Sequence, residues 1–198
     1  MLYALARWLC GLYIRVTRGL KVSGRELIPR EGPVILIGNH VSYLDPPALG
    51  VACPRQVYFM AKVELFRIPL FGYIIGALGA FPVKRGAPDR KAIKRALEIL
   101  ASGKVLGIFP EGTRIMTGEL GPAEEGAALL ALRTGACLVP AGIRGTRGPG
   151  PVRIVFGEPV PQEDLNPKDR ASVRILTDRA MERIRALLEE ADKLGEAI

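Results

Sequence analysis

Apolar residues are distributed along the chain in two recurring patterns. Short unbroken runs, Val34–Ile37, Val57–Met60, Val105–Phe109 and Cys137–Pro140, with a briefer Ala80–Val83, are bounded by Gly, Pro and polar residues. Runs of that length predict strands covered on both faces. Between them, Ala92, Ile93, Ala96, Leu97 and Leu100 recur at helical spacing and are stopped by Gly103. Ala127 to Leu132 reads as a second helix, and Pro46 and Pro47 suit the first turn of another. Val173, Leu176, Ala180, Ile184, Leu187, Leu188 and Ala191 mark one face of a long C-terminal helix, with Asn166–Pro167 as its N-cap and first turn. Val152–Phe156 alternates like a partly exposed strand, after a Gly- and Pro-rich loop from Arg144 to Pro151. Strands alternating with helices predict an α/β fold: a mainly parallel, twisted sheet covered by helices on both faces.

Two segments depart from this rhythm. On a helical projection of Met1 to Lys21, Arg7, Arg15, Arg18 and Lys21 share one sector. Leu2, Leu5, Leu9, Leu12, Val16 and Leu20 lie opposite, Trp8 and Tyr13 flank them, and Ile14 breaks the pattern. No uncharged stretch there reaches the roughly 18 residues of a membrane span, and no small-residue cleavage site follows. Residues 1–22 are therefore expected to form an amphipathic helix, either lying in a membrane interface or docked on the protein's own core. Residues 23–198 are expected to form a single domain, since neither an internal repeat nor a long linker divides them. The second segment, between Arg67 and Lys84, carries no charge, but it holds Pro69 and Pro82 and is short for a span. Gly72, Gly76 and Gly79 form a small-residue stripe in it, as in a buried core helix or the wall of a groove for an acyl chain.

Composition narrows the chemistry. The 198 residues are 48% hydrophobic and 24% charged, enough apolar material for one core and too much for disorder. A net charge of +8 favours anionic partners: phosphorylated metabolites, acidic lipid headgroups or nucleic acid. The lysines and arginines are scattered and aromatics make up only 6%, so nucleic acid is not expected. One histidine, His40, and three dispersed cysteines leave no pattern for a zinc or iron–sulfur site, and no metal or cofactor is expected. Phosphate-cradling Gly-rich nucleotide motifs are absent from the sequence.

Functional groups of such sheets gather where strands end and loops begin. Past the first buried run comes Asn39-His40-Val41-Ser42-Tyr43-Leu44-Asp45. Four residues between His40 and Asp45 let a loop turning into a helix return the carboxylate to one imidazole nitrogen. That contact fixes the tautomer and leaves the other nitrogen free as a general base. A second loop, Phe109-Pro110-Glu111-Gly112-Thr113-Arg114, follows another buried run. Its Glu and Arg, with a Gly allowing close approach, suit recognition of a phosphate or hydroxyl, or form an ion pair on a solvated turn. A third piece, Gly79-Ala80-Phe81-Pro82-Val83-Lys84-Arg85, sets two cations after a short strand.

Taken in order, His-x4-Asp, Gly-x-Phe-x-x-x-Arg, Phe-Pro-Glu-Gly-Thr-Arg and Val-Pro resemble the glycerolipid acyltransferase family, in particular its 1-acylglycerol-3-phosphate acyltransferases. The resemblance runs from about Gly24 to about Pro159. It departs at Lys84, where an acidic residue is common, and at Pro82, where an aliphatic one is usual. It implies transfer of a fatty acyl group from a thioester of CoA or acyl carrier protein to the free hydroxyl of 1-acylglycerol 3-phosphate (lysophosphatidic acid), yielding phosphatidic acid for phospholipid synthesis. His40 would then be the base and Asp45 its orienting partner. Lys84, Arg85 and above all Arg114 would meet the acceptor phosphate. Glu111 would accept from a glycerol hydroxyl or hold Arg114, and Gly112 and Thr113 would shape the loop. The basic helix and net charge would bring the enzyme to an anionic membrane, on the cytoplasmic face as a peripheral or monotopic protein. The rivals are the same chemistry on glycerol 3-phosphate or another lysolipid, and a non-catalytic membrane-surface protein.

Overall fold

The computed structural model describes residues 2–84, 86, 89–117 and 119–196. The elements follow in the order α1 (Leu2–Thr17), β1 (Leu20–Ser23), β2 (Val34–Gly38), α2 (Asp45–Ala52), β3 (Val57–Lys62), α3 (Phe71–Ala77) and β4 (Phe81–Val83). The second half adds α4 (Arg90–Ala101), β5 (Val105–Ile108), α5 (Gly126–Thr134), β6 (Cys137–Arg144), β7 (Val152–Phe156) and α6 (Arg170–Glu196). Seven strands form one sheet in the order β1-β7-β6-β2-β5-β3-β4. Five of them, β6, β2, β5, β3 and β4, run parallel. β7 pairs antiparallel with β6 and carries β1 parallel beside it.

Alternation along the central strands divides the core. Ile35, Ile37, Leu106 and Leu138 pack against apolar residues of α4, α5 and α6. Val34, Leu36, Val105 and Val139 face the other way, onto α2 and Ile14 of α1. Burial on both faces is the reason these strands are apolar without interruption. The mainly parallel α/β sheet and the long C-terminal helix are as expected.

Three elements differ from the sequence-based expectation. The N-terminal helix, expected over residues 1–22, ends at Thr17, and Leu20–Ser23 is an edge strand. Gly19 at φ +77° takes the left-handed turn that stops a helix, and Leu20 then pairs with Val152. α6 starts at Arg170 rather than at Asn166–Pro167, because Asp169 accepts from the Ala171 N–H and takes the capping role. α3 is no buried core helix: only Gly72 in it is buried, and Leu70, Phe71, Tyr73 and Ile74 are exposed.

α1 docks by an unexpected side. Ile14, which interrupts the leucine pattern, is its fully buried residue, and Gly11 packs close to Val51. Arg7 donates to the carbonyls of Val51 and Pro54 at the end of α2. Arg18 donates to the carbonyls of Gly145, Gly148 and Gly150 in the β6–β7 loop. Part of the basic sector is therefore engaged with the protein, while Leu2, Leu5, Trp8, Leu9, Leu12, Tyr13 and Val16 stay exposed. No helix among the described residues is long and apolar enough to cross a membrane.

Candidate active site

Strand register fixes the stage. Ile37 of β2 stands opposite Ile108 of β5, so the loops following them, which hold His40 and Glu111, leave the sheet side by side at the same end. The Asn39 side chain pairs with both backbone groups of Ile143, its Oδ1 accepting at 2.8 Å and its Nδ2 donating at 2.9 Å. In effect an amide side chain continues the β2–β6 ladder one step beyond the strand and anchors the residue before His40.

Asp45, the first residue of α2, is fully buried, and its Oδ2 collects three hydrogen bonds. The backbone N–H groups of Val41 and Ser42 donate at 2.7 Å each, and His40 Nδ1 lies at 2.8 Å. An ionised carboxylate accepts only, so the proton of that contact sits on Nδ1 and the neutral imidazole carries its lone pair on Nε2. The helix N-terminus favours the negative charge as well. The four-residue spacing thus does what the sequence suggested, and the two intervening N–H groups complete the loop.

An aromatic stack holds the imidazole in plane. His40 lies against Phe109 with ring centroids 4.2 Å apart and 19° between planes, and Phe59 follows at 6.0 Å from Phe109. The stack needs Gly107: a Cβ built there would stand 2.3 Å from the Phe59 ring. A glycine inside a buried strand is explained by this close approach.

Glu111 makes a contact the sequence did not reveal. Its carboxylate is buried and turned inward, Oε2 accepting from the His40 N–H at 2.8 Å and Oε1 from the Gly121 N–H at 3.1 Å. Burial pushes its carboxyl above the ordinary range, while the backbone donors Gly121 and His40 pull the other way. It does not pair with Arg114. The His40 carbonyl in turn accepts from the Ile115 N–H at 2.7 Å, so backbone on both sides of His40 is tied to the second loop. Arg114 instead lies over the Tyr43 ring, 3.6 Å from its centroid, and donates from Nη2 to the Tyr43 hydroxyl at 2.9 Å. His40 is 7% exposed, and its imidazole, with one nitrogen held by Asp45, is tied through its backbone to the loop that bears the arginine fork. Such an arrangement is equipped to deprotonate a hydroxyl on a molecule bearing an anionic group.

The protein-family model named Acyltransferase matches residues 19–144, which include both loops. The chain belongs to the acyltransferase family. This acyltransferase is 34% identical over 186 residues to the 1-acyl-sn-glycerol-3-phosphate acyltransferase of Bacillus subtilis, covering 89% of its own chain and 92% of the relative. It is 33% identical over 153 residues to the enzyme of the same name from Borreliella burgdorferi, where the match covers 75% of this chain and 58% of the relative. A Pseudomonas aeruginosa lyso-ornithine lipid O-acyltransferase is 37% identical over 107 residues, covering 54% and 40% of the two chains. The crystal structure of the Thermotoga maritima 1-acyl-sn-glycerophosphate acyltransferase PlsC shares the fold, with a TM-score of 0.76 at 24% identity over 93% of this chain and 79% of that one.

The acyltransferase therefore brings His40, Asp45, Glu111 and Arg114 together, with Gly112 at φ +65° shaping the turn and Thr113 exposed on it. Lys84 is exposed at the same end of the sheet: Val83 pairs with Lys62, two strands from β5, or roughly 10 Å at ordinary strand spacing. Arg85 lies outside the described residues. Sequence reasoning assigned no role to Asn39, Tyr43, Phe59 or Gly107. The available signals were an Asn at a strand end, a large aromatic in a polar loop and a glycine inside an apolar run.

Proposed function

We propose that this acyltransferase moves a fatty acyl group from a thioester, of CoA or acyl carrier protein, to the free hydroxyl of 1-acylglycerol 3-phosphate, forming phosphatidic acid for phospholipid synthesis. The observation that carries the reading is His40 with Nδ1 committed to Asp45 and Nε2 free, next to a loop-borne Arg114. Nε2 takes the hydroxyl proton as the alcohol oxygen attacks the thioester carbonyl. The tetrahedral adduct collapses with cleavage of the carbon–sulfur bond, and the departing thiolate recovers that proton from the imidazolium. Ester and free thiol are the products, and no covalent enzyme intermediate is required because the thioester is already activated. General-base assistance contributes about 10²–10⁴-fold, and holding both substrates in place supplies much of the remainder.

Arg114 is the principal phosphate ligand in this reading, since a planar fork matches phosphate oxygens, with Lys84 and Arg85 assisting. Glu111 acts as a positioning residue through the backbone of His40 rather than on the substrate. The exposed leucine face of α1, with Trp8 and Tyr13, rests in the interface of an anionic membrane, on the cytoplasmic side, where the lysolipid acceptor resides. Residues from β1 onward serve as the single acyltransferase domain.

Thiol release from acyl-CoA tests the reading. Release dependent on lysophosphatidic acid and lost in His40→Ala supports it. Equal release with glycerol 3-phosphate or lyso-ornithine lipid would reassign the acceptor, and none with any acceptor would remove the catalytic reading. Trp8 is the only tryptophan, so a blue shift of its emission on adding anionic vesicles reports α1 entering lipid.

A further inference from the structure

The uncharged stretch that follows Arg67 is presented to solvent. Ile68 (50% exposed), Leu70 (73%), Phe71 (45%), Tyr73 (78%) and Ile74 (42%) make an apolar surface around the start of α3. The backbone holds it there. Leu70 sits at φ +58°, ψ −53°, a positive-φ conformation that costs a residue with a side chain free energy. A Cβ on Gly72 would stand 2.6 Å from the Phe66 carbonyl oxygen, so α3 is seated against the preceding turn. The Gly72 N–H donates to Ile68 and the Ile74 N–H to Leu70, at 2.8 and 2.9 Å.

Topology sets this surface beside the site. β3 and β4 both run toward the end of the sheet that carries His40, and β4 pairs only with Met60–Lys62, so the β3–β4 connection stays at that end. The C-terminus of α1 is at the same end, because β1 starts level with Val152, just after the loop leaving β6. Apolar surface is thus exposed on two separate elements that both reach the end bearing the imidazole.

We propose that the Ile68–Ile74 surface is a second lipid contact, which enters the headgroup boundary of an anionic bilayer together with α1 and turns the His40 end of the sheet toward the membrane. This rests on the reading of the acceptor as a membrane lipid. Charge supports lipid as the occupant. Lys62, Arg67 and Lys84 flank the surface, and the nearby carboxylate of Glu64 is paired with Lys62 at 3.7 Å. Tyr73 adds a ring with a polar tip, suited to the interface.

The test compares wild type, the double variant Leu70→Glu/Tyr73→Glu and the α1 variant Leu5→Glu/Leu9→Glu. Co-sedimentation with phosphatidylglycerol-containing vesicles is expected to fall about tenfold or more in the α3 variant. The Trp8 blue shift should survive at saturating lipid, and the thermal midpoint should stay unchanged. Thiol release with short-chain, freely soluble acyl-CoA and lysophosphatidic acid should be kept, while turnover of vesicle-embedded acceptor falls. Unchanged vesicle binding overturns the proposal, with α1 then carrying attachment alone. So does a changed acyl chain-length preference in the soluble assay, which would make the segment part of an acyl groove. A wild-type dimer that the α3 substitutions dissociate overturns it as well, with a second copy as the occupant. Failure of the function reading looks different: no acceptor releases thiol, yet vesicle binding still depends on Leu70 and Tyr73.

Discussion

The guanidinium of Arg114 stacks on the ring of Tyr43, 3.6 Å from its centroid, and its Nη2 donates to the hydroxyl of the same side chain. Tyr43 lies between His40 and Asp45 in the chain, so the platform for the arginine belongs to the loop that carries the imidazole. A guanidinium held face-on loses less freedom on meeting an anion. At an exposed site the ring contact contributes roughly 0.5–1 kcal/mol. Tyr43→Ala is expected to raise the acceptor KM about two- to fivefold with little change in kcat, and Tyr43→Phe to keep most of the effect of the ring. Arg114→Ala should raise acceptor KM much further. An acceptor KM that does not move in either alanine variant would place the phosphate elsewhere.

With His40 as the proposed base, kcat of His40→Ala is expected to fall by about 10²–10⁴-fold. Asp45→Ala goes further structurally, since three donors lose their shared acceptor inside the protein. It should lose activity and also lower stability by several kcal/mol, about 1–3 kcal/mol for each unsatisfied buried donor being the usual scale. Circular dichroism with thermal melts separates the two: a native melt is expected for His40→Ala and a lowered one for Asp45→Ala.

The two motif loops were legible because their contacts are local: four residues separate His40 from the carboxylate of Asp45, and both loops follow apolar strands. The partners of Glu111 were not, because a carboxylate three residues from an arginine suggests an ion pair, while its actual donors are the backbone N–H groups of His40, 71 positions away, and of Gly121. β1 was hidden because Leu20 and Lys21 extend the helical pattern of α1, and only pairing with β7 makes them a strand. The leucine face of α1 was read correctly as a face, yet periodicity alone does not say which side docks. Ile14, the residue that spoiled the pattern, marks the docking side.

Gly107→Ala tests whether the aromatic stack supports the imidazole. The new methyl would meet the Phe59 ring at 2.3 Å, so Phe59 must move, and Phe109 with it. Overpacking of this kind costs about 1–3 kcal/mol. The expected outcome is a lower thermal midpoint together with a fall in kcat, because His40 loses its stacked neighbour. Restored activity in Gly107→Ala/Phe59→Leu, where the ring contact is relieved and only the 2.9 Å approach to Val57 remains, would assign the loss to the ring displacement rather than to strand damage.

Glu111→Gln separates charge from geometry. Both carboxylate oxygens accept from backbone N–H groups, so an amide keeps one contact and turns its NH₂ against the other donor. A loss of about 1–3 kcal/mol is expected at neutral pH, with lower kcat as the His40 backbone loosens. The pH dependence has a definite sign. Burial raises the folded carboxyl above its unfolded value, so the folded state holds that proton more tightly. Its contribution to stability is complete below the ordinary carboxylate range and is lost as pH rises through the raised value. The glutamine variant lacks this titration. Denaturant unfolding of both proteins across that window should therefore show wild type losing stability relative to Glu111→Gln as pH increases. A difference that stays flat, or widens toward higher pH, would mean that the backbone donors outweigh the cost of burying this carboxylate.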